Sequence, residues 1–189
     1  MKKILALVLA LCLLSVCALA ADSKTTGGGT VITEEPATEE IQIAASLSDV
    51  SEELLNTFAA AETPIAVFSE ETKAAVEEVI TGEADALELI ELKNIDFGLS
   101  EEVASTLADA AAAALAAGAS EVEKIDMVLS FDEDFTQYTD IVGVITASNE
   151  ELVYKMEVNA DGDLAFELPV TDAQKIAADD EAFIAILAK

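Results

Sequence analysis

The alternation running through the last third of the chain leaves few choices of fold. Ile125, Met127, Leu129 and Phe131 are separated by single residues, as are Leu152, Tyr154, Met156 and Val158, and then Leu164, Phe166 and Leu168. Successive side chains of a strand point to opposite faces, so each series puts its bulky groups on one face and predicts a strand. "DIVGVITA" (Asp140 to Ala147) adds another, left by a turn over Ser148 to Glu151. "EAFIAILAK" is apolar on both faces from Phe183 to Leu187, as a central buried strand is, and its truncation should be costly.

The turn "NADGD" fixes a register. Facing residues of an antiparallel pair share one face. A two-residue Asp161-Gly162 loop would set Val158 against Ala165 and break the pattern. A three-residue loop of Ala160, Asp161 and Gly162 pairs Val158 with Leu164, Met156 with Phe166 and Tyr154 with Leu168, with Gly162 left-handed in a bulge.

Helical signals fill the first half. "SLSDVSEELLNTFAAAE" places Leu54, Leu55 and Phe58 on one face, with Ser and Asp available as caps and Glu52 and Glu53 in the first turn. "PIAVF" (Pro64 to Phe68) reads as a brief strand. The next helix takes Ser69 as N-cap, Glu70 and Glu71 at the dipole, Val76, Val79 and Ile80 on one face and Gly82 as its C′ stop. "ALELIELKNIDF" (Ala86 to Phe97) predicts a strand whose alternation is imperfect. A long alanine-rich helix follows, capped by Ser100, stopped by Gly118 and striped by Val103, Leu107, Ala111 and Leu115 for core packing. After Pro169, Thr171 to Gln174 forms a capping box opening a short helix to about Ala178.

Lys2 and Lys3, the apolar run Ile4 to Val16 and Ala18-Leu19-Ala20 have the order of a secretory signal peptide cleaved after Ala20. The run is short for a transmembrane anchor. Cys17 offers an alternative, a lipid-anchored chain, although Val16 stands where a small residue normally precedes the modified cysteine. Residues 21–44, with "GGG" and Thr and Glu clusters, predict a flexible linker, and 45–189 a single domain. Cleavage removes Cys12 and Cys17, the two cysteines of the chain, so the exported domain relies on an apolar core without disulfides.

Charge and missing residue types restrict function. The chain has nine basic residues, all lysine, against 38 acids, a formal net charge of −29; losing Lys2 and Lys3 leaves seven against 38, or −31. A surface of that sign repels phosphate backbones and anionic membranes, which argues against nucleic acid or direct membrane-surface binding by the folded domain. With no His, no Arg and no Cys after cleavage, histidine- or thiol-dependent catalysis, ordinary zinc sites and bidentate anion clamps are excluded. Carboxylate, Lys, Ser/Thr and Tyr chemistry remains, and so does calcium bound by oxygen.

"PIAVFSEETKAAVEEVITGEADALELIEL" and "LAFELPVTDAQKIAADDEAFIAIL" share an order of strand, polar cap, short helix, acidic turn and strand, with Phe68 answering Leu168 and Val76 answering Ile176. From about Ile65 to Lys189 the stretches "FSEETKAAVEEVI", "YTDIVGVIT", "VNADGDLAFELP" and "FIAIL" give the chain a pattern that resembles uncharacterised strand-rich modules of secreted proteins from Gram-positive anaerobes. That resemblance implies an extracellular module without assigned activity and supplies no functional residues.

Within "FDEDF", Asp132, Glu133 and Asp134 are the candidate metal ligands, since clustered carboxylates suit calcium. Alternation along a strand lets no more than two of them converge, and a solvated loop is the competing reading. "VNADGDLAFEL" fails as an EF-hand loop: with Gly162 at the glycine position, the required acid falls on Leu168. No pair among the acids stands out as a glycosidase dyad. The expected fold is α+β, an antiparallel, sandwich-like sheet with three or four short helices and a mostly β C-terminal part. The expected function is an exported, non-enzymatic binding or envelope-assembly module, with an extracellular protein or cell-envelope component as partner and no cofactor. A calcium-dependent adhesive or structural protein and a carboxylate-dependent hydrolase are the alternatives.

Overall fold

A computed structural model describes residues 45–99, 101–116 and 124–189. The expected signal peptide, the Cys17 anchor, the linker, the Ser100 cap and the Gly118 stop lie outside the described residues, as do the side chains of Ala111 and Leu115. Described strands are β1 (Ala45–Asp49), β2 (Glu88–Phe97), β3 (Lys124–Leu129), β4 (Ile141–Ala147), β5 (Glu150–Val158), β6 (Leu164–Pro169) and β7 (Phe183–Ala188); described α-helices are α1 (Glu52–Ala60), α2 (Glu70–Val79), α3 (Glu101–Ala116) and α4 (Val170–Ala177). All strand pairs are antiparallel, in the order β1-β2-β7-β4-β5-β6-β3. The sheet curls into a half-barrel, an α+β architecture whose C-terminal part is mostly strand.

β7 is central, as its two-faced apolar sequence demands. Ile184, Ile186 and Ala188 join Ile141 and Ile145 in a core on one face, with α4 (Val170, Ala173, Ile176) and the inward residues of β3 and β6. Ala185 and Leu187 join Val142 and Val144 in a second core beneath α1 and α2, where Phe58, Phe68 and Val76 pack. Both faces of β7 are therefore withdrawn from water, which is why no polar residue alternates along it.

The imperfect alternation of β2 has a local cause. Leu89 pairs with Leu187 and Glu91 with Ile186, so Ile90 is an extra residue in a bulge that shifts the phase of the strand. The "NADGD" loop forms as its register requires: Val158 faces Leu164, Asn159 N–H donates to the Asp163 carbonyl at 2.9 Å, and Gly162 has φ +90°. Ser148 and Asn149, at φ 54° and 62°, close the β4–β5 hairpin in two residues, a tighter turn than the expected Ser148 to Glu151.

Several expectations are corrected. The expected pairs Met156–Phe166 and Tyr154–Leu168 do not form; the β5–β6 ladder stops after Glu157–Ala165, while the other edge of β6 stays paired with β3 along its length. "PIAVF" is a 3-10 turn (Pro64–Val67), closed by the Phe68 N–H to the Ile65 carbonyl; Pro64 suits a helical first position, and the run has no ladder partner. Ala45–Asp49 is a strand preceding α1, held by pairing with β2, and Leu55 points to solvent with 47% exposure while Phe58 is buried. Gly82, at φ +122°, lies two residues beyond the Ile80 C-cap instead of at C′. Pro169, not Thr171, occupies the N-cap of α4, because the fixed φ of proline turns β6 into helix two residues early and leaves Thr171 inside it. The internal echo is limited to helix and strand: α2 and α4 precede the neighbouring strands β2 and β7 but pack on opposite faces of the sheet.

Candidate functional site

Where the β5–β6 ladder ends early lies a groove of about 630 Å³, lined by β5, β6 and the adjoining β3. Alternation dictates what lines it. Leu152, Tyr154 and Met156 turn toward the core shared with α4, so Val153, Lys155 and Glu157 face the other way from β5. For the same reason Ala165 and Glu167 line it from β6, and Asp126 and Val128 from β3. The result is a small apolar floor with three carboxylates and one ammonium around it.

Two rings brace the split from beneath. Tyr154 and Phe166 lie with ring centroids 5.3 Å apart at 44°. The Tyr154 hydroxyl donates to Asp172 Oδ2 on α4 at 2.9 Å. Burial, then the charge and hydrogen bond of Asp172, push the phenol well above its ordinary pKa, so it remains a donor. Lys175, one turn further along α4, pairs with Asp172 at 3.2 Å and reaches Glu150 at 2.6 Å. The helix is thereby tied to β5 at Glu150 and Tyr154.

Lysine pairing singles out one cation. Lys73 pairs with Asp85, Lys93 with Asp49, Lys124 with Glu167, Lys175 with Glu150 and Lys189 with Asp140. Among the described residues Lys155, in the groove, is the lysine with no ion pair.

The structure places the three expected metal candidates apart in role. Asp134 caps the 3-10 turn Phe135–Gln137, accepting from Thr136 N–H at 3.0 Å and Thr136 Oγ1 at 2.6 Å, and these bonds hold its carboxyl below the usual range. Glu133 Oε1 accepts from Gln137 Nε2 at 3.0 Å and from the Tyr138 hydroxyl at 3.3 Å. Asp132 is exposed and acts at a distance. Together with Glu133 and Asp49 it adds to the burial that raises the Glu91 pKa, which Lys93 partly opposes. Among the described residues no group of three or more potential ligands is arranged to hold a metal ion.

A carboxylate in the second half of the chain also caps a helix in the first. Glu151 Oε2 accepts from Ser69 N–H at 3.0 Å, Ser69 Oγ at 2.7 Å and Thr72 Oγ1 at 2.6 Å, at the N-terminus of α2. Partial burial works against its charge, but those hydrogen bonds and the helix end outweigh it and hold the carboxyl below its ordinary value.

Sequence reasoning missed the groove. Most of its side chains are outward members of three strands and differ in no visible way from other surface positions, while Met127, Tyr154 and Phe166 reach it from the core side. A groove exists there because β6, paired with β3 throughout, leaves β5 after Ala165. Comparison with protein-family models, curated proteins and solved structures finds no match to this chain.

Proposed function

We propose that the chain is an exported, non-enzymatic binding or envelope-assembly module whose ligand face is the groove between β5 and β6. The observation carrying this reading is the split itself: a braced, concave opening with apolar floor and charged rim, the usual form of a recognition site. Export rests on the order of charge, apolar run and small residues in 1–20, and the envelope setting on the resemblance to secreted modules. The non-enzymatic reading rests on the missing His and Arg and on a groove offering only carboxylates, one lysine and the Tyr154 phenol, itself engaged with Asp172, as polar side chains.

Two measurements test it. Intact mass of the full chain after expression in a Gram-positive host should show a start at Ala21 in the medium; an uncleaved chain in the cytosol overturns export, and a lipid on Cys17 replaces release with anchoring. Retention on isolated envelopes should then be compared with the groove-filling Ala165→Trp and the rim-reversing Glu157→Lys. Loss of retention in both supports the groove as the ligand face, and equal retention in all three overturns it. Hydrolysis of envelope polysaccharide that vanishes in Glu157→Gln would overturn the non-enzymatic reading.

A further inference from the structure

We infer that the groove takes an extended, lysine- or arginine-bearing segment of another protein, added as a strand between β5 and β6. The inference rests on the groove being the ligand face and specifies its occupant. Two observations carry it. First, β5 is paired with β4 from Glu150 to Met156 on one edge, while its other edge is paired with β6 only at Glu157 and Val158. β6 is paired with β3 throughout, yet beyond Ala165 its opposite edge has no ladder partner among the described residues. Two strand edges therefore face one opening, and a row of unpaired N–H and C=O groups is a template for an incoming strand.

Second, the charge around the opening selects the occupant. Asp126 and Glu157, with Glu167 already paired to Lys124, rim it against Lys155, and the chain as a whole carries −29. An acidic segment would meet like charge on approach, whereas alternate basic side chains of an added strand would reach the carboxylates. The intervening side chains would lie on Val153 and Ala165, the outward apolar residues of the two flanking strands. A second copy of this chain is a poorer occupant, because two such acidic subunits repel.

The probe is an acetylated, amidated nonapeptide alternating lysine and valine, titrated into the full chain at physiological salt and followed by amide chemical shifts. The control is the same peptide N-methylated at alternate positions, which keeps its charge but loses backbone donors. Strand addition predicts shift changes centred on Val153 to Glu157 and Ala165 to Glu167. It also predicts binding weakened about tenfold or more by N-methylation, since several backbone hydrogen bonds are lost. Asp126→Asn with Glu157→Gln should weaken it further, and a glutamate–valine peptide should not bind.

Equal binding of the N-methylated peptide, or shift changes elsewhere, reduces the interaction to general charge attraction and overturns the inference. A concentration-dependent dimer abolished by both Ala165→Trp and Glu157→Lys identifies a second copy as occupant and also overturns it. If the peptide fails to bind while those two variants still lose envelope retention, strand addition falls and the groove reading stands. If the variants change neither, both fall.

Discussion

Glu151 and Glu91 are both partly buried carboxylates, yet their surroundings give them opposite effects on stability. Hydrogen bonds hold Glu151 below its ordinary value of 4.5, so its contribution is present above that value and is lost as pH falls through the lower, folded one. Glu151→Gln keeps the shape but gives up charge-assisted bonds at a helix N-terminus, and should cost about 1 to 2 kcal/mol at pH 7. Thermal denaturation should show the difference shrinking under acid. Glu91 is raised, so the folded state is favoured below 4.5 and loses that advantage as pH rises through the raised value. Glu91→Gln should therefore be more stable than the parent at pH 7 and indistinguishable from it well below 4.5. The same pair of melting series separates the two signs.

At the scale of elements, β4 depends on one missing side chain. A Cβ at Gly143 would come within 2.1 Å of Met156 Cε and 3.0 Å of its Sδ, in a core where Met156 is 3% exposed. Gly143→Ala should cost about 1 to 3 kcal/mol by overpacking. Most of that cost should disappear in a Met156→Ala background; a double-mutant cycle without coupling would locate the strain elsewhere. The hairpin after β4 offers the reverse experiment. Ser148 and Asn149 both have positive φ, the geometry Asn-Gly prefers, and Ser148 contributes its N–H to Asp179, a bond any residue there retains. Replacing the pair by Asn-Gly should raise stability by about 0.5 to 1 kcal/mol in denaturant unfolding.

For the whole molecule, the placement of β7 and the sum of charge dominate. Deleting Phe183 to Lys189 removes the strand joining β2 to β4 and strips both cores, so the remainder should show no cooperative unfolding transition. Lys189 adds a tie at this end: its carbonyl accepts from Thr139 N–H at 2.9 Å and its ammonium contacts Asp140 and the Thr81 carbonyl. With 38 acids against nine lysines, self-repulsion opposes compaction, and added sodium chloride should raise the melting temperature by screening it. Calcium at equal ionic strength should add nothing beyond that screening. A further rise reversed by chelator would revive a specific cation site at Asp132, Glu133 and Asp134.

Much of the local structure was legible in the amino-acid order, although "PIAVF" and the Thr171 capping box were local signals that misled. Period-two alternation in β3, β5 and β6, the two-faced run of β7, the Ser69 cap and the left-handed Gly162 each follow from a few neighbouring residues, because pleat, cap and turn are short-range sterics and hydrogen bonding. The strand β1 was illegible because its short sequence has too little apolar alternation, and pairing with β2 alone makes it extended. The Glu151 cap, 79 residues from Thr72, and the Tyr154–Asp172 bond depend on packing that no local pattern encodes. The groove is of the same kind. Sequence decides which side chains of a strand face out, but only the tertiary path of β6, which keeps β3 on one edge for six residues and β5 on the other for two, decides that those outward side chains surround an opening.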